Sequence, residues 1–170
     1  MNIQKDLFMS IIIVHYSRTG STARLAETLA RRLNADCDQI SAGTAYDGPI
    51  GLLTAACTAA MGSEGPARTK RYLRAYDHLI VAGPVWGGQL PGPLRRYLIV
   101  NDTKTRLAGA FCTSWHGGPQ RGFFNEIREI TGIATFPNFS VEQRYCDRNL
   151  ITLSAARFAR NLSKTLSDVA

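Results

Sequence analysis

Short apolar runs recur along this chain, separated by stretches of helical spacing or glycine-rich composition, and that alternation limits the folds open to it. Residues 11–14 (IIIV) are β-branched or aliphatic throughout, the composition of a strand buried on both faces. Leu25, Leu29 and Leu33 then recur every four residues, which lays one apolar stripe along a helix whose first turn Ser21 or Thr22 is available to cap. Residues 37–40 form a second strand, and the glycine- and alanine-rich segment 43–65 has room for one helix, over residues 52–61. Residues 78–82 read as a third strand ending at Gly83-Pro84, and Leu94, Tyr97 and Leu98 mark a helix that accommodates Pro93 in its first turn. A fourth strand over residues 107–113, a helix face of Phe123, Phe124, Ile127 and Ile130, and a fifth strand over residues 135–141 follow. Ile151, Ala155, Phe158, Leu162 and Leu166 supply a closing amphipathic helix. Strict alternation implies a parallel sheet with right-handed crossovers and helices on both faces. The predicted architecture is a three-layer α/β protein with a doubly wound, five-stranded parallel sheet in the order 2-1-3-4-5, whose ligand crevice lies at the carboxyl ends of strands one and three.

Composition narrows the function classes. The chain has 170 residues, 45% hydrophobic and 19% charged, which suits one globular domain over residues 10–170 behind a short leader, residues 1–9, with Met9 an alternative start. The leader lacks a signal peptide's apolar core, and no run approaches the ~20 apolar residues of a membrane span. Cys37, Cys57, Cys112 and Cys146 are widely spaced and form no C-x-x-C pair, so neither a disulfide framework nor a metal site is expected, and a reducing cytoplasm is. The net charge is +7, with basic residues gathered at Arg68, Lys70, Arg71 and Arg74, at Arg95 and Arg96, and along the last helix. No helix-turn-helix or aromatic RNA-binding signature accompanies them, so they are read as solvated helix faces rather than a nucleic-acid site. Steering of an anionic substrate or partner is the alternative for Arg95 and Arg96.

The binding chemistry belongs in the loops that follow strands one, three and four. The first, Ser17-Arg18-Thr19-Gly20-Ser21-Thr22, stands at a strand-to-helix corner, where backbone N–H groups and the helix dipole favour an anion. It has neither the lysine of G-x-x-x-x-G-K-[ST] nor the G-x-G-x-x-G turn, and its hydroxyls and amides suit a terminal phosphate held by hydrogen bonds. A capped corner is the plainer alternative. Phosphatase chemistry on such a corner needs a cysteine six positions before an arginine, and no cysteine here has one. The loop after strand three, Gly83-Pro84-Val85-Trp86-Gly87-Gly88-Gln89, presents a tryptophan able to stack on a planar ligand. The loop after strand four, Thr113-Ser114-Trp115-His116-Gly117-Gly118-Pro119, offers a second aromatic among small residues. Together they describe a pocket for a flat ring system with a phosphate tail.

Residues 17–22 resemble the T/S-x-T-G-x-T phosphate loop of flavodoxins, and YDHLIVAGPVWGG resembles the strand and tryptophan loop that flank the flavin in flavodoxin-like proteins. The resemblance covers essentially the whole chain in order and spacing, and the missing insertion in strand five places it with the short-type members. It implies FMN as the cofactor. Ser17, Arg18, Thr19, Gly20, Ser21 and Thr22 would surround its phosphate. Pro84, Val85, Trp86 and Gly87 would line one side of the isoalloxazine, and Thr113, Ser114, Trp115, His116, Gly117 and Gly118 the other. His116 is the candidate to give a proton or hydrogen bond to a substrate being reduced, with simple solvation as the alternative. His15 and His78 are read as structural, and Cys112, beside the third loop, as a buried small residue.

The chain departs from electron-shuttling flavodoxins in being basic, and in offering Trp115 or His116 where they commonly present a tyrosine. Residues 83–101 and 107–125 contain no carboxylate, so Arg18, Arg95 and Arg96 nearby would ease reduction to the anionic hydroquinone. The expected function is FMN-dependent redox chemistry: electron transfer to a partner protein, or NAD(P)H-dependent reduction of a quinone-like acceptor. A flavodoxin-like scaffold that binds another phosphate ligand or a protein, without redox chemistry, is the rival.

Overall fold

The computed structural model describes residues 10–43, 66–101, 103–146 and 151–167. The leader and the helix expected over residues 52–61 lie outside the described residues. The described elements run β1 (Ile11–His15), α1 (Ser21–Leu33), β2 (Asp36–Gln39), a 3-10 turn (Leu73–Ala75), β3 (His78–Pro84), α2 (Gly92–Val100), β4 (Leu107–Ser114), α3 (Arg121–Thr131), β5 (Asn138–Glu142), a 3-10 turn (Gln143–Tyr145) and α4 (Ile151–Ser167). The five strands form one sheet in the order β2-β1-β3-β4-β5, with every pairing parallel, as predicted.

Successive side chains on a strand point to opposite faces, and the core divides accordingly. Ile12, Val14, Leu79 and Val81 pack with Leu94, Leu98, Phe123 and Ile127 from α2 and α3. Ile13, Ile80, Ala82 and Phe111 pack with Leu25 and Leu29 of α1 and Ala155, Phe158 and Leu162 of α4. Both faces of β1 and β3 are therefore covered, which is why their runs are apolar without alternation. No helix among the described residues is long and apolar enough to cross a membrane.

Three differences from the sequence reading have local causes. β5 begins at Asn138 rather than residue 135, because Pro137 has no N–H for the ladder; its carbonyl accepts from Ala110 N at 3.1 Å, and regular pairing starts with the next residue. Arg68, Lys70 and Arg71 lie on an extended segment rather than a helix face, held by a bridge between Ser41 and Arg68. Arg95 is not on a solvated face: it is 4% exposed and pairs with Glu126 of α3. A guanidinium taken out of water needs such a partner, and the partner stands on the neighbouring helix.

Candidate functional site

β1, β3 and β4 are adjacent in the sheet, so their following loops meet at one edge. The first loop ends at Gly20, the N-cap of α1, whose φ of +87° is left-handed backbone that a glycine takes without strain. The cap is unlike the expected one. Neither Ser21 nor Thr22 caps the helix; Ser17 Oγ accepts from Ala23 N at 3.2 Å. The backbone N–H groups of Ser21 and Thr22 then have no acceptor among the described residues, and α1 has no acidic residue in its first turn. This is a helix N-terminus with donors open to an anion.

Thr22 Oγ1 lies 2.7 Å from Thr113 Oγ1 in a buried contact, which joins the first loop to the end of β4. Thr113 O in turn accepts from Val85 N at 2.8 Å, joining β4 to the tryptophan loop. Thr19, exposed, accepts at Oγ1 from Gln143 Nε2 at 3.0 Å, so the end of β5 closes the loop's other flank. Arg18 is exposed beside it.

The tryptophan loop is a tight hairpin. Trp86 and Gln89 exchange backbone hydrogen bonds of 3.1 and 2.9 Å across Gly87 and Gly88, whose φ values of +55° and +81° meet the requirement of a type I′ turn. Trp86 is half-buried, its ring edge-on to Tyr16 with centroids 5.4 Å apart, and Pro84 and Val85 lead into it from β3. From below, α3 clamps the same loop. Glu126 accepts from Leu90 N at 2.9 Å and from Arg95 Nε, while Arg95 Nη2 donates to Leu90 O at 3.2 Å. Gly122 of α3 lies so close that a Cβ there would come within 2.2 Å of Gly88 O.

In the third loop, Ser114 is buried and donates to His116 O at 2.7 Å, whereas Trp115 is 78% exposed and His116, Gly117 and Gly118 are exposed. Gly117 N donates to Glu142 Oε1 at 2.8 Å. The Arg144 hydrogen bonds and the Gly117 amide hold the Glu142 carboxyl below its ordinary range, so it is charged at neutral pH. Ser21, Arg24, Trp115, Gln143 and Arg144 line a cavity of about 400 Å³.

The structure thus brings the loops holding all the sequence-predicted residues to one edge, but turns several inward: Ser17 caps a helix, Thr22 and Thr113 pair with each other, and Ser114 is tied within its own loop. It also corrects the electrostatic expectation. Arg95 is neutralised by Glu126, and a carboxylate, Glu142, borders the third loop from β5, outside the two segments scanned for acids. Glu126, Glu142, Gln143 and Arg24 were missed. The ends of β5 were a legible place to look, since every strand's carboxyl end faces the crevice; Glu126 has no such signal. His15 is buried with Nδ1 3.5 Å from Cys37 Sγ and Nε2 unpartnered; burial pushes its pKa down and the Cys37 thiol up to about 11. Cys112 is fully buried and its thiol is likewise pushed up, which leaves it inert beside the loop.

A doubly wound parallel sheet with open donors and an aromatic turn at the switch between β1 and β3 places the chain in the three-layer α/β class. Within that class the chain has the flavodoxin-like fold. No protein-family model and no curated protein matches it. Solved structures do: a flavoprotein from Lactobacillus acidophilus NCFM in complex with FMN (TM-score 0.61, 20% identity, 79% of this chain and 92% of that one). Flavodoxin 2 from Bacillus cereus aligns over 92% of this chain and 99% of its own at 17% identity (TM-score 0.58). A flavodoxin from the domain Archaea aligns over 94% and 99% at 16% identity (TM-score 0.54).

Proposed function

We propose that the chain binds FMN and uses it for redox chemistry. The observation that carries this reading is the Thr22–Thr113 contact, which sets the open amides at the start of α1 beside the loops that hold Trp86 and Trp115. The residues fit the group: an anion-ready helix start without a neighbouring acid in its first turn, followed on the next strands by aromatic turns. The similar flavoprotein from Lactobacillus acidophilus, in complex with FMN, supports the same cofactor.

In this reading the amides of Gly20, Ser21 and Thr22 and the hydroxyl of Thr19 hold the phosphate, with Arg18 and Arg24 balancing its charge. Ser17 shapes the loop as a cap. Pro84, Val85, Trp86 and Gly87 form one wall, and Trp115, His116, Gly117 and Gly118 the other, with Thr113 and Ser114 as the floor. Bound FMN supplies one- and two-electron transfer. The protein's share is to fix the turn carrying Trp86 through Glu126 and Arg95, to aim the third loop through Glu142, and to offer His116 as a proton donor.

The redox use takes one of two forms: electron transfer to a partner protein, or NAD(P)H-dependent reduction of a quinone-like acceptor. The exposed Trp115 beside Arg24 favours docking of an acidic partner, while Arg144 there is paired with Glu142. No disulfide joins the cysteines among the described residues, which suits a reducing cytoplasm. The test is the visible spectrum after adding FMN and desalting, followed by NAD(P)H oxidation with quinones. Retained flavin bands support the reading, and turnover with quinones then selects the enzyme over the carrier. A colourless protein that refuses FMN leaves a non-redox scaffold.

A further inference from the structure

The end of β5 holds two of the loops at this edge with two consecutive residues. Glu142, the last residue of the strand, accepts from Gly117 N of the third loop at 2.8 Å. Gln143, which opens the following 3-10 turn, donates from Nε2 to Thr19 Oγ1 of the first loop at 3.0 Å, across 124 positions of chain. Glu142 has extended backbone (φ −67°, ψ 136°), which sends neighbouring side chains to opposite sides and lets one residue serve each loop. Gln143 is also fixed through its main chain. Its carbonyl accepts from the N–H of the buried Cys146 at 3.1 Å and so closes the turn. Arg144 pairs with Glu142, which balances the carboxylate next to Gln143 in the chain. Gln143 and Ser21, whose backbone N–H has no acceptor among the described residues, line the same cavity of about 400 Å³.

The direction of the Gln143 bond decides what Thr19 can do. A threonine hydroxyl has one proton to give and two lone pairs to offer. Here one lone pair takes the amide N–H, and the Thr19 side chain makes no other hydrogen bond among the described residues, so its proton is left for a ligand. An acceptor oxygen in the place of Nε2 would take that proton and leave Thr19 only lone pairs to turn toward an anion. We propose that Gln143 is a positioning residue for the phosphate end of the cofactor site: by donating to Thr19 Oγ1 it commits the Thr19 hydroxyl to donate to a phosphate oxygen. This role rests on the FMN reading and adds to it a residue from outside the three loops. Its effect is confined to the anion. Gln143 therefore favours a flavin that carries a phosphate over riboflavin, which lacks one, and leaves binding of the ring system as it is.

The test is fluorescence titration of the flavin-free full chain with FMN and with riboflavin, in the wild type, Gln143→Ala, Gln143→Glu, Thr19→Ala and the double variant Thr19→Ala with Gln143→Ala. The preference for FMN over riboflavin is expected to fall about tenfold in Gln143→Ala, and further in Gln143→Glu, which adds a negative charge and takes the hydroxyl proton. Riboflavin affinity stays equal across the series, which also reports an intact fold. In the Thr19→Ala background, Gln143→Ala lowers the preference no further, because Gln143 acts through that hydroxyl. A preference that survives in either Gln143 variant, an equal loss for both flavins, or additive losses in the double variant overturns the proposal and leaves the FMN reading standing. A wild type that binds neither flavin overturns both.

Discussion

The hydroxyls of Thr22 and Thr113, 91 positions apart in the chain, lie 2.7 Å from each other in a buried contact between the start of α1 and the end of β4. Each gives the other its partner where water cannot. Thr113→Val therefore strands the Thr22 hydroxyl and costs about 1–3 kcal/mol of stability, whereas the double change with Thr22→Val is close to neutral, since both polar groups leave together. Urea unfolding of the two singles and the double measures the coupling, and additive effects would show that the contact does not hold the loops together.

The buried pair of Arg95 and Glu126 predicts a larger effect. Glu126→Gln leaves a guanidinium with 5% side-chain exposure beside a neutral partner, and destabilisation of about 3–5 kcal/mol is expected. Leu90 N loses its charged acceptor, so amide exchange at Leu90 accelerates more than at the β4 amides. Uniform exchange rates across both would argue that the clamp does not restrain the tryptophan turn.

Two substitutions separate the phosphate and ring ends of the proposed cofactor site. Trp86→Ala removes one aromatic wall, weakens FMN binding by about 1–2 kcal/mol and restores flavin emission that stacking quenches. Thr19→Glu, at an exposed position, sets a carboxylate against the phosphate and lowers affinity by about tenfold or more without altering flavin emission in the bound fraction. Fluorescence titration reads both, and unchanged affinity in either variant removes that residue from the site.

His15 makes stability depend on pH. Burial lowers its folded pKa below the unfolded value of about 6.5, so the unfolded chain takes up the proton first. Its contribution is fully present above pH ~6.5 and is lost progressively as pH falls below that value toward the folded pKa. Urea midpoints at a series of pH values from neutral downward should decline in the wild type and flatten in His15→Leu; equal slopes would assign the dependence to other groups, such as Glu142.

Much of this was legible from residue order. The runs around Ile13, Ile80 and Phe111 are apolar because both sheet faces are covered, and that signature is local. So is the loop at residues 17–22, whose small residues break one periodicity and start another. The cap was misassigned because Ser17 and Ser21 are equally suited by type, and the φ of Gly20 decides which of them reaches an amide. The start of β5 was misplaced because Thr135 and Phe136 have strand propensity, while the missing N–H of Pro137 ends the ladder.

The sequence by itself determined the layer order and the three loops at one edge of the sheet, because hydrophobic period and turn chemistry are properties of neighbouring residues. Only the tertiary structure decided the state of the charges and hydroxyls. Whether Arg95 is solvated or buried depends on Glu126, 31 positions away, and whether the third loop carries a negative charge depends on Glu142, 25 positions from Gly117. Desolvation and pairing are set by what stands opposite a group in space, and no window along the chain contains that information.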